Sequence, residues 1–363
     1  MNELTVLYDG KPSYNITYRN DFNALSEYAE SLNLSERKVM VISDSKVASL
    51  YMDAILCVMK EYSPYVSSFV FPEGEQSKNL DVVRDAYTRL IEEKFDRRDL
   101  IVALGGGVTG DMAGFTAATY LRGIDFIQIP TTLLSMVDSS IGGKTGVDFD
   151  SYKNMVGAFY MPRLVYMNLS VLRSLDERQY VSGMGEVIKS ALLKDADFYD
   201  WLSSHSITFN EISDEDFYTM VYRCNLIKKA VVENDPTEKG ERALLNLGHT
   251  LGHAIEKYMN FKLLHGECVC IGCILAAYIS MKKGFIDEAV FNNIKDIFNR
   301  FSLPVLSDYT DNVELDKIIS YTKNDKKAVG NSIKFILLKG IGEAFISMDV
   351  TDDDMRDALE NCL

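Results

Sequence analysis

The chain has 363 residues, 47% hydrophobic and 25% charged, typical of a water-soluble globular protein too long for the usual single domain. Its formal net charge of -15 argues against nucleic-acid binding, which needs basic surface, but leaves room for an anionic small molecule in a local basic pocket. The N-terminus carries no signal-peptide pattern, and the longest apolar run, Cys268 to Ile279, is too short to span a bilayer, so a cytoplasmic protein with reduced thiols is expected.

A short strand-like run and a turn at Asp9-Gly10 open the chain. Lys38-Val-Met-Val-Ile42 reads as a buried strand and Val47 to Lys60 as a helix. Ser67-Ser-Phe-Val-Phe71 is another strand, and Leu80 to Lys94 another helix. Leu100-Ile-Val-Ala-Leu104 follows as a third strand ending at a glycine cluster, and Asp125-Phe-Ile-Gln-Ile129 as a fourth, closed by Pro130. This alternation predicts an α/β, Rossmann-like parallel sheet with helices on both faces and ligands at the carboxyl ends of its strands. From about Ser174 long helical patterns take over: Glu177 to Lys194, Asp214 to Asn234, Ala243 to Met259, Cys268 to Lys282 and Asp287 to Phe301. Ile333 to Leu338 and Glu343 to Ser347 suggest a small hairpin around Gly340-Ile-Gly342. Two domains are expected, residues 1–173 α/β and residues 174–363 predominantly α-helical, closely packed with a cleft between.

Gly105-Gly-Gly-Val-Thr-Gly110-Asp111 follows a strand and opens a helix, the context in which G-x-G-x-x-G binds a dinucleotide pyrophosphate. No acidic residue closes a second strand about twenty positions on, so Asp44, ending the first parallel strand, is the better candidate for the ribose hydroxyls. Gly142-Gly-Lys-Thr145 is rejected as a P-loop because Asp138 stands where the motif needs glycine. Asp138, Lys144, Lys153 and Asn154 remain as a polar group, read either as a solvated loop or as an anion-capturing one. Cys268, Cys270 and Cys273 sit among aliphatic residues and are expected to be small buried hydrophobes.

Glu186 and Lys189 lie one helical turn apart, which a surface ion pair would explain. Arg242, Asn246, His249 and His253 would share one face of a single helix. Three of the four histidines, His249, His253 and His265, fall within seventeen residues. Imidazole is the commonest metal ligand, and histidines at i and i+4 can point at one ion. From the residues alone, all three are candidate ligands.

Taken together these runs resemble the 3-dehydroquinate synthase family. The resemblance rests on Gly105 to Gly123, Ile129-Pro-Thr-Thr-Leu-Leu134, Asp138 to Asp148, Lys153-Asn154 and Gly185-Glu-Val-Ile-Lys189. Leu245 to Glu256, His265-Gly-Glu267 and Asp325-Lys-Lys327 complete it, so it spans roughly Asp44 to Glu343. It implies a dehydroquinate synthase-like fold, bound NAD, a zinc or cobalt ion, a homodimer, and a sugar phosphate, 3-deoxy-D-arabino-heptulosonate 7-phosphate, as substrate. The metal is then held by Glu186, His249 and His265, with His253 beside the site and free for proton transfer. The resemblance implies NAD contacts from Asp44, Glu75, Lys78, Gly106, Gly107, Asp111, Thr131, Thr132, Lys144, Lys153, Ser174 and Leu175. It implies phosphate contacts from Lys144, Asn154 and Lys326, with Arg122 reaching in from a neighbouring subunit. Asp138, Lys189, Lys228, Arg242 and Asn246 match further substrate-binding positions. The catalytic set that the resemblance implies is Lys189, His253, Asp138, Lys144, Arg242 and Asn246.

In the implied reaction an alcohol is oxidised by NAD and phosphate leaves by β-elimination. The hydride then returns and an intramolecular aldol step closes a carbocycle. The chain departs from the family pattern at Lys46, where asparagine is common, at Asp176, where proline is common, and at Asp235-Pro236, which replaces an acidic pair. A metal-dependent alcohol or glycerol dehydrogenase is an alternative, but it needs no cationic set such as Lys144, Arg122, Arg242 and Lys326. Another sugar phosphate cyclase tends to replace the histidine at position 253, and a catalytically dead binding module would not keep Glu186, Lys189, His249 and His265 together.

Overall fold

The computed structural model describes residues 3–150, 152–205, 207–301, 313–323, 328–329 and 332–362. It divides into two compact units, Met1–Leu175 and Asp176–Leu363.

The first unit is built on a seven-stranded sheet. It opens with an antiparallel hairpin, β1 (Glu3–Tyr8) and β2 (Lys11–Arg19). The turn residues Asp9 and Gly10 are both left-handed, at φ 50° and 74°, which gives a two-residue connection the twist of the flanking strands. Then follow β3 (Val39–Asp44), α1 (Ser45–Tyr62), β4 (Val66–Phe71), α2 (Leu80–Glu92), β5 (Leu100–Gly105), α3 (Gly107–Thr119) and β6 (Asp125–Pro130). A separate hairpin, β7 (Lys144–Phe149) and β8 (Tyr152–Phe159), precedes β9 (Leu164–Asn168). The strand order is β1-β2-β9-β6-β5-β3-β4, parallel except at β1.

Alternate side chains explain why the strands read as continuous apolar runs. Val39 and Val41 enter one core with Met52, Ile55 and Met59 of α1. Met40 and Ile42 enter the other with Val83, Ala86 and Leu90 of α2 and Met112 and Ala113 of α3. A strand covered on both faces has no polar side to show. The sheet changes direction between β3 and β5, because β4 lies outside β3 and the chain returns across it. Ligands gather outside the strand ends at such a point.

The solvated-loop reading of residues 138–154 does not hold in full, since much of it is the β7–β8 hairpin. Its strands are hard to see in the sequence because Gly146 pairs with Gly157, where a Cβ on Gly157 would stand 2.3 Å from the Thr145 carbonyl oxygen. Backbones that approach this closely exclude the branched side chains by which strands are normally recognised.

The second unit contains α4 (Glu177–Lys194), α5 (Ala196–Ser204), α6 (Asp214–Asn234), α7 (His249–Tyr258), α8 (His265–Lys282), α9 (Glu288–Arg300) and α10 (Leu315–Thr322). Two short strands follow, β10 (Ala328–Val329) and β11 (Ser332–Ile333), then the hairpin β12 (Phe335–Gly340) and β13 (Glu343–Ser347), then α11 (Asp352–Cys362). Helix α8 is buried all round, Cys268, Cys270 and Cys273 included, which accounts for its unbroken apolar sequence. No helix among the described residues is long and apolar enough to cross a membrane.

One expected element is overturned. Ala243 to Met259 is not a single helix: a 3-10 segment, Glu241–Asn246, ends before α7, and Gly248 between them is left-handed at φ 76°. Arg242 and Asn246 therefore do not share a helical face with His249 and His253. The break follows from packing, since a Cβ at Gly248 would stand 2.7 Å from both the Val269 carbonyl oxygen and the Cys273 sulfur of α8.

Candidate active site

In the first unit Asp44, Gly106 and Gly107 of the expected dinucleotide residues lie at the β3/β5 strand ends, and Thr131 and Thr132 follow the neighbouring β6. Gly106 is the N-cap of α3, so the glycine cluster is the turn itself. Asp44 caps α1 through Val47 N at 3.0 Å, and its second oxygen accepts the Thr109 hydroxyl at 3.2 Å, tying the two strand ends together. Lys78 is buried, paired with Asp111 at 2.7 Å and bonded to Asn154 Oδ1 at 2.7 Å. Burial alone would push its ammonium down, but Asp111 and Glu75 outweigh it and hold Lys78 above the usual lysine range. Glu75 in turn pairs with Lys153 at 3.2 Å.

The Thr131 hydroxyl, just after β6, is buried with no hydrogen-bond partner among the described residues. The Thr132 hydroxyl instead donates to Ser135 at 2.9 Å and caps the next turn. That turn, Ser135–Ser139, is a π-type turn and carries Asp138; such turns recur at functional sites. Ser174 bonds Tyr51, and Leu175 ends the unit. Lys144 is exposed at the start of β7. Arg122 is exposed in a left-handed turn beyond α3, about 20 Å from the glycine turn by helix length.

In the second unit three helices bring the expected metal ligands together. Glu186 lies on α4, His249 opens α7 and His265 opens α8. Close backbone contact makes this possible: a Cβ at Gly266 would stand 1.8 Å from Ser182 O, and one at Gly272 1.8 Å from Gly248 O. Glu186 Oε1 lies 3.8 Å from His249 Nε2 and 3.6 Å from His265 Nε2. Donors on one tetrahedral zinc stand about 3.4 Å apart, so the spacing fits a shared divalent ion. Donor atoms of His249, His253 and His265 also lie within 4.8 Å of one another.

His249 Nδ1 donates to the Leu247 carbonyl at 3.0 Å, which turns its Nε2 lone pair toward the carboxylate. Glu186 and Lys189 pair with each other, and both side chains are only 1% exposed, so the expected surface ion pair is a buried one. Removing His265 from water pushes its imidazolium down, but the Glu186 and Glu256 carboxylates more than compensate and raise its pKa to about 9.

Arg242 is fully buried and donates to the Pro236 carbonyl. Its turn is held by Asp235, which accepts from Lys239 N at 2.8 Å, Gly240 N at 2.7 Å and Arg242 N at 3.0 Å. Asn246 donates to Glu238 at 2.7 Å, and Lys228 is buried on α6. Lys326 lies outside the described residues. Sequence reasoning assigned nothing to Thr109, Glu238, Glu256 or the bidentate Arg178–Glu267 pair at 2.8 and 2.9 Å, which pins the start of α8. For Glu256 a signal was present: it follows His249 by seven residues and so shares its helical face.

Residues 68–182 match the 3-dehydroquinate synthase N-terminal family and residues 183–328 the 3-dehydroquinate synthase C-terminal family. A 3-dehydroquinate synthase of Shewanella sp. (strain MR-4) is 40% identical over 355 residues, covering 96% of this chain and 97% of that one. The chain belongs to the 3-dehydroquinate synthase family. Among solved structures of related cyclases, a 2-deoxy-scyllo-inosose synthase complexed with carbaglucose-6-phosphate, NAD+ and Co2+ matches at 27% identity and a TM-score of 0.87. That match covers 99% of this 3-dehydroquinate synthase family member and 100% of the other chain. A 2-epi-5-epi-valiolone synthase from Streptomyces hygroscopicus subsp. jinggangensis 5008, with NAD+ and Zn2+ bound, matches at 26% and 0.88, covering 99% and 98%.

Proposed function

We propose that this chain converts 3-deoxy-D-arabino-heptulosonate 7-phosphate to 3-dehydroquinate and inorganic phosphate, a carbon–oxygen lyase of the shikimate pathway using NAD and a zinc or cobalt ion. The observation that carries this reading, within the family, is one buried carboxylate oxygen of Glu186 facing the Nε2 atoms of both His249 and His265. NAD supplies a reversible hydride acceptor and the divalent cation lowers the pKa of the substrate alcohol. The protein's part is to grip a sugar phosphate through several intermediates, where positioning gives most of the selectivity.

In this reading Glu186, His249 and His265 are the ligands, and His253, whose donor atom lies within 4.8 Å of those of His249 and His265, moves a proton instead of binding the ion. Buried Lys189, Lys228 and Arg242, with Asn246 and Asp138, bind the substrate's oxygen functions, and Lys144, Asn154, Lys326 and Arg122 its phosphate. Asp44, Glu75, Lys78, Gly106, Gly107, Asp111, Thr131, Thr132, Lys144, Lys153, Ser174 and Leu175 form the NAD site. The orphaned Thr131 hydroxyl and the α3 N-terminus support that assignment. Arg122 lies a helix length from its own glycine turn, which favours its donation to a second copy. Phe149, Tyr152, Met155 and Phe159 are exposed on one hairpin, which also supports a homodimer. No disulfide joins any of the six cysteines, in keeping with a cytoplasmic location.

The test is metal-dependent phosphate release. Chelator-treated protein should lose turnover and regain it with zinc or cobalt. His265→Ala should neither retain metal nor turn over, and a variant that keeps both rejects the ligand set.

A further inference from the structure

Glu256 is a buried carboxylate that the assigned site does not use, 3% exposed near the end of α7. A buried charge is costly unless something compensates it, so its position calls for an explanation. It lies 3.6 Å through Oε2 from Nδ1 of His265, whose other nitrogen faces Glu186. The same arrangement holds His249, where the Leu247 carbonyl takes the Nδ1 proton and Nε2 turns to the same Glu186 oxygen.

A carboxylate can only accept. Both ring nitrogens of His265 face carboxylates at 3.6 Å, so once an ion takes Nε2 in place of its proton the remaining proton lies on Nδ1, toward Glu256. The partner also carries charge, so it raises the electron density of the ring and the strength of Nε2 as a ligand. Leu247 gives His249 only a neutral acceptor. The two histidines are thus oriented by partners of different strength, and His265, 31% exposed, is the one that more needs fixing.

We propose that Glu256 is a positioning residue for His265: it fixes the Nδ1–H tautomer and strengthens Nε2 as a ligand for the divalent ion. This rests on the metal reading above. The reach across two helices also gives the spacing of the motif a physical reason. His249 and Glu256 stand two turns apart on one helix, so a single face of α7 supplies one ligand and orients another carried by α8.

The experiment is Co2+ titration of chelator-treated protein, read by the visible absorption of the bound ion and by competition with a chromophoric chelator. Wild type, Glu256→Gln, Glu256→Asp and His265→Ala are compared, with circular dichroism and Tm of each metal-free form. Glu256→Gln keeps shape and an acceptor oxygen but not the charge. Its Co2+ affinity should fall about 10–100-fold while the metal-free fold and Tm stay near wild type. Glu256→Asp should recover part of that loss. Equal Co2+ affinity in wild type and Glu256→Gln overturns the proposal, as does a loss that tracks Tm alone. Absence of stoichiometric Co2+ binding by wild type overturns the metal reading itself and is recognised separately.

Discussion

At the scale of single residues, the two oxygens of Glu186 have separate partners. Oε2 pairs with Lys189, and Oε1 faces two imidazoles at 3.6 and 3.8 Å. Replacing Lys189 by methionine keeps the volume but removes the buried cation. We expect Lys189→Met to lower kcat/KM by about a hundredfold or more while metal content, measured by atomic absorption, stays near one per chain. Loss of the metal instead would make Lys189 a support of the ligand set only. The proposed histidine ligands were legible because three histidines crowd one stretch of a histidine-poor chain, yet the residues alone offered His253 as readily as the other two and gave Glu186 only an ion pair. Nothing in a linear sequence shows that α4 passes close enough to bring a glutamate sixty-three positions before His249 to the site. The family pattern supplied that, and its physical basis is the glycine contacts between helices.

Those contacts belong to the scale of elements. Helices α4 and α7 approach α8 at Gly266 and Gly272, where an added Cβ would stand 1.8 Å from a backbone oxygen. No side-chain rotation relieves such a contact, so the helices themselves must part. Gly272→Ala should therefore cost at least about 1–3 kcal/mol and lower the Tm by several degrees, with weakened metal retention. A variant with wild-type Tm and metal content would show that the helices have room to spare.

The Asp235 turn is a second element-level case. Burial pushes the carboxyl up, but three backbone N–H groups and Arg242 hold it below the usual carboxylate range. A lowered folded-state pKa means that its contribution is present at neutral pH and is lost only as the pH falls through that depressed value. Asp235→Ala should free the Arg242 turn, lower the Tm by a few degrees and reduce kcat/KM by about tenfold or more at neutral pH. Unchanged steady-state constants would separate Arg242 from its turn. The sequence suggested one helix from Ala243 to Met259 because its apolar spacing continues across the break. The left-handed φ of Gly248 is a tertiary demand, imposed by α8.

For the whole molecule, the parallel sheet was the most legible feature, because a strand buried on both faces writes itself as an apolar run. The β7–β8 hairpin was not, since two glycines, Gly146 and Gly157, face each other within it. The chemistry follows from both units. The first holds a glycine turn at a sheet switch point and an orphaned threonine hydroxyl, and the second holds a carboxylate and histidines spaced for one cation. A simple dehydrogenase would also pair a glycine-rich turn with clustered histidines, and it parts from a cyclase in needing no phosphate-binding cations and in the fate of the hydride.

A balance of phosphate against NADH with NAD well below substrate tests this most directly. Metal-loaded protein is given the heptulosonate phosphate and NAD at about a tenth of its concentration. Phosphate should be released to completion, many equivalents for each NAD, with no lasting rise in absorbance at the NADH band. Steady NADH accumulation that stops when NAD is consumed, without phosphate release, would contradict the account.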